Sequence, residues 1–309
     1  MTTPTSEGFA PYLVPAARKP CQTYYKIFGD LTSGITPLIA IHGGPSVGHS
    51  YFMVLEDLTS AYGTPVVLYD QVGCGKSTHI QEKNGDVDFW TPQFFQDEFH
   101  NLRKHLGIEE YNVLGHSWGA MLGMMIATHQ PQGLRRLVLA SGPAAMDDWV
   151  QTQRRLLRTL SEGVQACIRT ISECTSAGTT ASPEYQAAFF EYLKSCLCRV
   201  VPFPQELQDG IEELQKDPTV CATLLGLDDF EVTGSMKDWS IVSELHRIKV
   251  PTLLVNGAFD QAQDSVLAPI FREIPKVKWY TFSQSAHMAH LEERTKYREI
   301  VGEFLTQCE

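Results

Sequence analysis

Tyr111-Asn112-Val113-Leu114-Gly115-His116-Ser117-Trp118-Gly119-Ala120-Met121 is the stretch on which the fold turns. A short apolar run reaches G-x-S-x-G, and a helix-forming run follows. This pattern predicts a nucleophile elbow, a sharp strand-to-helix turn that lifts a serine hydroxyl above a sheet. Gly115 and Gly119 stand where a side chain would hold the strand and the helix apart. A lone serine hydroxyl is a weak nucleophile. It needs a base, an acid to orient that base, and donors for the developing oxyanion.

The surrounding chain supports a sheet with crossover helices. Strand-like runs occupy Thr23 to Phe28, Pro37 to Ile41, Pro65 to Asp70, Tyr111 to Leu114 and Leu134 to Ala140. Helical patterns fill roughly Tyr51–Ser60, Pro92–Leu106 and Ala120–His129. From about Met146 to Trp239 the texture is helical, as in Trp149–Leu160, Pro183–Leu197 and Gln205–Lys216. Strand texture returns at Pro251–Asn256 and Val277–Phe282, and an amphipathic helix closes at about Glu292 to Leu305. The expected class is α/β: a mostly parallel central sheet with helices on both faces and an inserted helical cap. Residues 1–145 and 240–309 form the core and 146–239 the cap. At helical spacing, Trp149, Phe189, Phe190 and Tyr192 are expected as core aromatics, with a cavity lining as the alternative.

The chain has 309 residues and 43% hydrophobic residues, enough for a full catalytic domain with one insertion. Its 25 Lys and Arg against 36 Asp and Glu give a net charge of −11, which disfavours nucleic-acid binding. No apolar run reaches membrane-spanning length, and the polar, proline-rich start carries no signal-peptide core. The eight cysteines show no zinc spacing and read as free thiols. A cytoplasmic protein is expected, with no metal and no cofactor. Its expected partner is a small molecule or short peptide, not a membrane or nucleic acid.

The acid and base follow from chain order. Asp260 follows the strand Pro251–Asn256, and His287 follows the strand ending at Phe282. His287 takes the Ser117 proton and returns it to the leaving group, while Asp260 holds the imidazole. Asp264 and His290 are the nearby alternatives. One oxyanion donor is the Trp118 N–H. The other is Gly44 or Gly43 of Ile41-His42-Gly43-Gly44-Pro45-Ser46, since Pro45 has no N–H. His42 is expected to hold this loop by hydrogen bonding. Gly75-Lys76-Ser77 resembles the end of a P-loop, but Asp70 stands where its first glycine belongs, so nucleotide binding is rejected.

His42-Gly43-Gly44-Pro45, Tyr69-Asp70-Gln71-Val72-Gly73-Cys74-Gly75-Lys76-Ser77 and Gly115-His116-Ser117-Trp118-Gly119 together resemble the proline iminopeptidase and L-amino-acid amidase branch of the α/β-hydrolases. Phe89 to Phe99, Cys198 to Pro202 and Val232 to Trp239 extend the resemblance over nearly the whole chain. It implies hydrolysis of an amide beside a free amine that acidic residues hold. By this resemblance Asp229, with Asp228 beside it, matches one acidic position, and Gln261 replaces a glutamate at the other. Ser46 stands where the loop usually has glycine. Gly43, Asp229 and Gln261 are thus the substrate-binding candidates. The expected reaction is acyl-enzyme hydrolysis of a small amide or peptide. An esterase, thioesterase or cyclising enzyme on a specialised metabolite is the alternative, and a ligand receptor on the same scaffold is a third reading.

Overall fold

The structure is a computed structural model that describes residues 4–172, 182–228 and 230–307. Eight strands form one sheet: β1 (Ser6–Tyr12), β2 (Cys21–Phe28), β3 (Leu38–Ile41), β4 (Val66–Tyr69), β5 (Tyr111–His116), β6 (Leu134–Ala140), β7 (Thr252–Gly257) and β8 (Val277–Phe282). The spatial order is β1-β2-β4-β3-β5-β6-β7-β8. β1, β2 and β4 pair antiparallel, and every later pair is parallel.

Residues of the central strands alternate between two cores. Ile39, Ile41, Val67, Tyr69, Val113, Leu137, Leu139 and Leu254 face one. Leu38, Ala40, Val66, Leu68, Leu114, Val138, Leu253 and Val255 face the other. A sheet buried on both faces needs such continuous apolar runs, and these runs made the strands legible. β1 is different. It is a half-exposed edge strand inside the polar N-terminal segment, held by full antiparallel register from Ser6↔Ile27 to Tyr12↔Cys21. Its composition does not announce it.

Helices α1 (Glu56–Tyr62), α2 (Pro92–His105) and α3 (Trp118–Thr128) connect the strands up to β6. Thr91 accepts the Phe94 N–H and Pro92 opens α2, a capped start visible in the sequence. Between β6 and β7 lie α4 (Met146–Leu157), α5 (Glu162–Ser172), α6 (Pro183–Cys196), α7 (Gln205–Lys216) and α8 (Thr219–Leu224). Part of this segment has its own small core of Leu157, Ile168, Ala188, Tyr192, Cys196 and Phe230. α9 (Asp264–Glu273), α10 (Ala289–Glu292) and α11 (Arg294–Thr306) complete the chain. Among the described residues no helix is long and apolar enough to cross a membrane.

One buried carboxyl on α2 supports the turn beside the site. Glu98 Oε1 accepts from Thr23 Oγ1 at 2.6 Å and from the Val72 N–H at 2.9 Å. Its second oxygen and the Tyr69 hydroxyl have no partner among the described residues. Burial pushes the Glu98 carboxyl up to about 8, so it is protonated at neutral pH. The folded state then binds a proton that the unfolded chain has released above the usual value of 4.5. Stability contributed this way is complete below that value and is lost as pH rises through about 8, at up to ~1.4 kcal/mol per pH unit. Glu98→Gln should remove this loss. In urea titrations its stability relative to the unsubstituted protein should rise between pH 5 and 8 and level off above; a pH-independent difference would contradict the assignment.

Candidate active site

The elbow forms because three backbones touch. A Cβ on Gly115 would lie 2.1 Å from the Gly119 carbonyl oxygen, and one on Gly119 would lie 1.9 Å from that of Ile41. Only glycine fits at either position. Ser117 is forced to φ +55°, ψ −120°, and its N–H is held by the Ala140 carbonyl at 2.8 Å. A non-glycine residue at positive φ is uncommon and needs such surroundings. The Ser117 hydroxyl enters none of the hydrogen bonds among the described residues and faces a cavity.

Asp260 and His287 follow adjacent strands, β7 and β8. His287 Nδ1 donates to Asp260 Oδ1 at 2.7 Å. Asp260 is fully buried and takes three more donors: Ala262 N–H on Oδ1, and Ser141 Oγ at 2.6 Å with Gly257 N–H on Oδ2. A side chain so supplied with donors is held in place. The loop of His287 is clamped by carboxylates. Glu292 accepts the Ala286 and Met288 N–H groups, and Glu293 accepts Gln284 N–H and Ser285 Oγ. The Cys196 carbonyl at the end of α6 accepts both the Gln261 and His287 N–H groups. The two alternatives lie elsewhere. Asp264 opens α9, beside Asn256 Nδ2. His290 is buried against Tyr51, Phe52 and His116, and burial lowers it to about 3.

The H-G-G-P loop is held from below. Tyr51 Oη accepts the Gly43 N–H at 2.7 Å and lies 3.0 Å from His116 Nδ1. The hydroxyl proton therefore points to that nitrogen, and His116 Nε2–H donates to the His287 carbonyl at 2.9 Å. Burial keeps the His116 imidazole neutral, as this relay requires. The Gly43 N–H is thus engaged, whereas the Gly44 N–H has no partner among the described residues. Gly44 holds φ +112°. The Trp118 N–H is the first of α3, a position with no intrahelical partner. His42 holds its loop as expected: the Gln71 N–H donates to its Nε2 at 3.0 Å, so Nδ1–H donates to the Gly43 carbonyl at 2.9 Å. The turn that imitates a P-loop wraps a carboxylate. Asp70 takes the His49 N–H and ring on Oδ1 and the Lys76 N–H on Oδ2.

Ser117, His287, Gly43, Gly44 and Gln261 border one cavity of about 320 Å³. Its lining is largely apolar, with Leu193 and Leu197 near the end of α6, Leu207, Ile211 and Leu214 of α7, and Val47. Asp228 is a charged side chain on the lining. Its Oδ1 already accepts the Phe230 N–H at 2.8 Å. Asp229 lies outside the described residues. Of the four aromatics, Trp149 and Phe189 line the cavity, Tyr192 is core and Phe190 is exposed. Among the described residues no group of three or more His, Cys, Asp or Glu could hold a metal, and the six described cysteines are free.

The family model described as alpha/beta hydrolase fold matches residues 36–294. The chain belongs to the α/β-hydrolase family. It is 34% identical to a proline iminopeptidase of Clostridium botulinum over 98% of both chains. The crystal structure of VinJ matches this hydrolase with a TM-score of 0.91 at 38% identity, covering 98% of this chain and 99% of that one. The proline iminopeptidase structure from Mycobacterium smegmatis matches with a TM-score of 0.87 at 36% identity over 97% of both chains. The hydrolase therefore lies in the branch of the proline iminopeptidases.

Several residues that shape this site were not singled out from sequence: Tyr51, Ser141, Gln153, Glu292 and Glu293. The bonds of the first three reach far along the chain, up to 119 positions between Ser141 and Asp260, so no local pattern marks them. The substitution at Ser46 does have a physical reading. Its buried hydroxyl accepts the Cys221 N–H of α8 at 3.3 Å, tying the loop to the helical segment. Tyr51→Phe should leave the buried Gly43 N–H and His116 Nδ1 without partners and destabilise the fold by about 2–4 kcal/mol, measurable as a lowered urea midpoint at unchanged m. A loss below about 0.5 kcal/mol would contradict the relay.

Proposed function

We propose that this hydrolase cleaves an amide or peptide bond of a small substrate by the serine acyl-enzyme route. The observation that carries the reading is the His287–Asp260 bond of 2.7 Å opening on the same cavity as Ser117 at its strained elbow. Ser117 Oγ attacks the substrate carbonyl as His287 takes its proton. The tetrahedral oxyanion lies between the N–H groups of Gly44 and Trp118, with Gly43 leaning on Tyr51. His287 then protonates the leaving amine, the C–N bond breaks, and the acyl group stays on Ser117. Water, deprotonated by His287, attacks the ester and frees the acid and the serine. The Ser117–His287 hydrogen bond forms as substrate enters.

The proline iminopeptidases among its relatives support an aminoacyl substrate. Gln261, Asp229 and the neighbouring Asp228 are the residues assigned to its amine. We take residues 146–239 as the cap over the cavity and the cytoplasm as the place of action, in keeping with the free thiols. The apolar wall suits a bulky apolar group on the substrate. That same wall, with the uncharged Gln261, favours a second reading, an esterase or cyclising hydrolase on a specialised metabolite. Comparing kcat/KM for a prolyl amide, an N-acetylprolyl amide and a short-chain ester separates the two.

A fluorophosphonate probe should label the protein, and Ser117→Ala should abolish labelling; absence of labelling at any pH would favour a receptor. His287→Ala should lower kcat by about 10⁴-fold or more, and His290→Ala by less than about tenfold. The reverse order, read from initial rates, would exchange the two histidines' roles.

A further inference from the structure

Gln261 follows Asp260 and lines the cavity beside His287. A carboxamide offers a ligand either an acceptor or a donor, and its two ends have the same shape. Partners behind it decide which end is free. Gln153, on α4, sets the direction. Its Nε2 lies 3.3 Å from the Trp149 carbonyl and 3.2 Å from the Gln261 carbonyl. Two carbonyl oxygens require an NH2 group there, so Gln153 Oε1 faces Tyr192. The Tyr192 hydroxyl, 2.6 Å away, must donate to that oxygen. Its proton is committed, and toward Gln261 it offers lone pairs. The Gln261 atom 3.4 Å from it is accordingly Nε2. Gln261 Oε1 is left as the free end, in none of the hydrogen bonds among the described residues. Gln153 and Tyr192 are both fully buried and neither lines the cavity.

We propose that the chain Gln153–Tyr192–Gln261 presents Gln261 Oε1 as a fixed, uncharged acceptor that reads an N–H or O–H group beside the scissile bond of the substrate. The inference rests on the hydrolase reading above and narrows its substrate class. A neutral carbonyl oxygen accepts from an ammonium and from the free amine alike. The substrates are therefore acyl compounds with a hydrogen-bond donor near the reacting carbonyl, whether or not that donor carries charge. Gln153 and Tyr192 are positioning residues that act through Gln261.

The test uses the full chain with prolyl naphthylamide, N-acetylprolyl naphthylamide, which has no donor on its proline nitrogen, and naphthyl acetate. The prolyl compound should be preferred over the acetylated one. Tyr192→Phe and Gln153→Met should each lower the kcat/KM ratio of prolyl to N-acetylprolyl compound about tenfold, the value of one oriented hydrogen bond. An unchanged ratio in both variants overturns the inference. Should neither variant fold, Gln261→Met, which keeps the side-chain length and removes the acceptor, decides by the same ratio. Turnover of naphthyl acetate without a prolyl preference overturns this inference and leaves the hydrolase reading standing. No turnover of any of the three overturns the hydrolase reading itself.

Discussion

The contact between β3, β5 and α3 at the two elbow glycines is the constraint on which the rest depends. With Gly119 backed onto the Ile41 carbonyl and Gly115 onto Gly119, the chain has one way through the turn, and Ser117 takes positive φ. That contact also sets the H-G-G-P loop, which leaves β3 one residue beyond Ile41, beside the N-terminus of α3. The two free amides of the site, on Gly44 and Trp118, are neighbours because these two chain segments touch. Strain at Ser117 is held by the fold around it: the Ala140 carbonyl takes its N–H, and the buried α3 fixes the next turn.

Hydrogen-bond direction does the remaining positioning. Tyr51 accepts from Gly43 and donates to His116, which donates to the backbone of His287. One buried line thus joins the loop of Gly43 and Gly44 to the loop of His287. Trp118 joins a second line, since its indole N–H donates to Gln71 Oε1 while Gln71 Nε2 donates to the His42 carbonyl. Each is satisfied at both ends, which is what lets polar groups sit at zero exposure without a large penalty.

The central strands were legible because a sheet covered on both faces demands unbroken apolar runs, and Leu134–Ala140 and Val277–Phe282 have the bounds their sequence suggests. The elbow and the positions of Asp260 and His287 after adjacent strands were legible because both are local signals at strand ends. β1 was not, since an edge strand buries little and its stability comes from pairing with β2 rather than from its own pattern. Nor was the engagement of the Gly43 amide, which depends on a tyrosine placed by a 3₁₀ turn, Ser50–Leu55. The two loop glycines look alike in sequence; only the position of one hydroxyl separates them.

The helical segment is bound to the site more closely than a simple lid would be. The Cys196 carbonyl at the end of α6 accepts the amides of Gln261 and His287, and the Leu197 carbonyl just beyond it accepts that of Met288. On the opposite side His79 donates from both ring nitrogens, to Gly75 and to Asp217 between α7 and α8, and these bonds outweigh burial in raising its affinity for a proton. A change in α6 that reshapes the cavity would therefore shift the backbone that holds His287. α7 contributes Leu207, Ile211 and Leu214 to the apolar wall, and among the described residues it makes no hydrogen bond to the Asp260 or His287 loops. Substrate preference can drift through α7 while the chemistry stays put. α6 is constrained to keep the Cys196 carbonyl and Tyr192 where they are, because Gln261 and His287 hang from the same turn of helix.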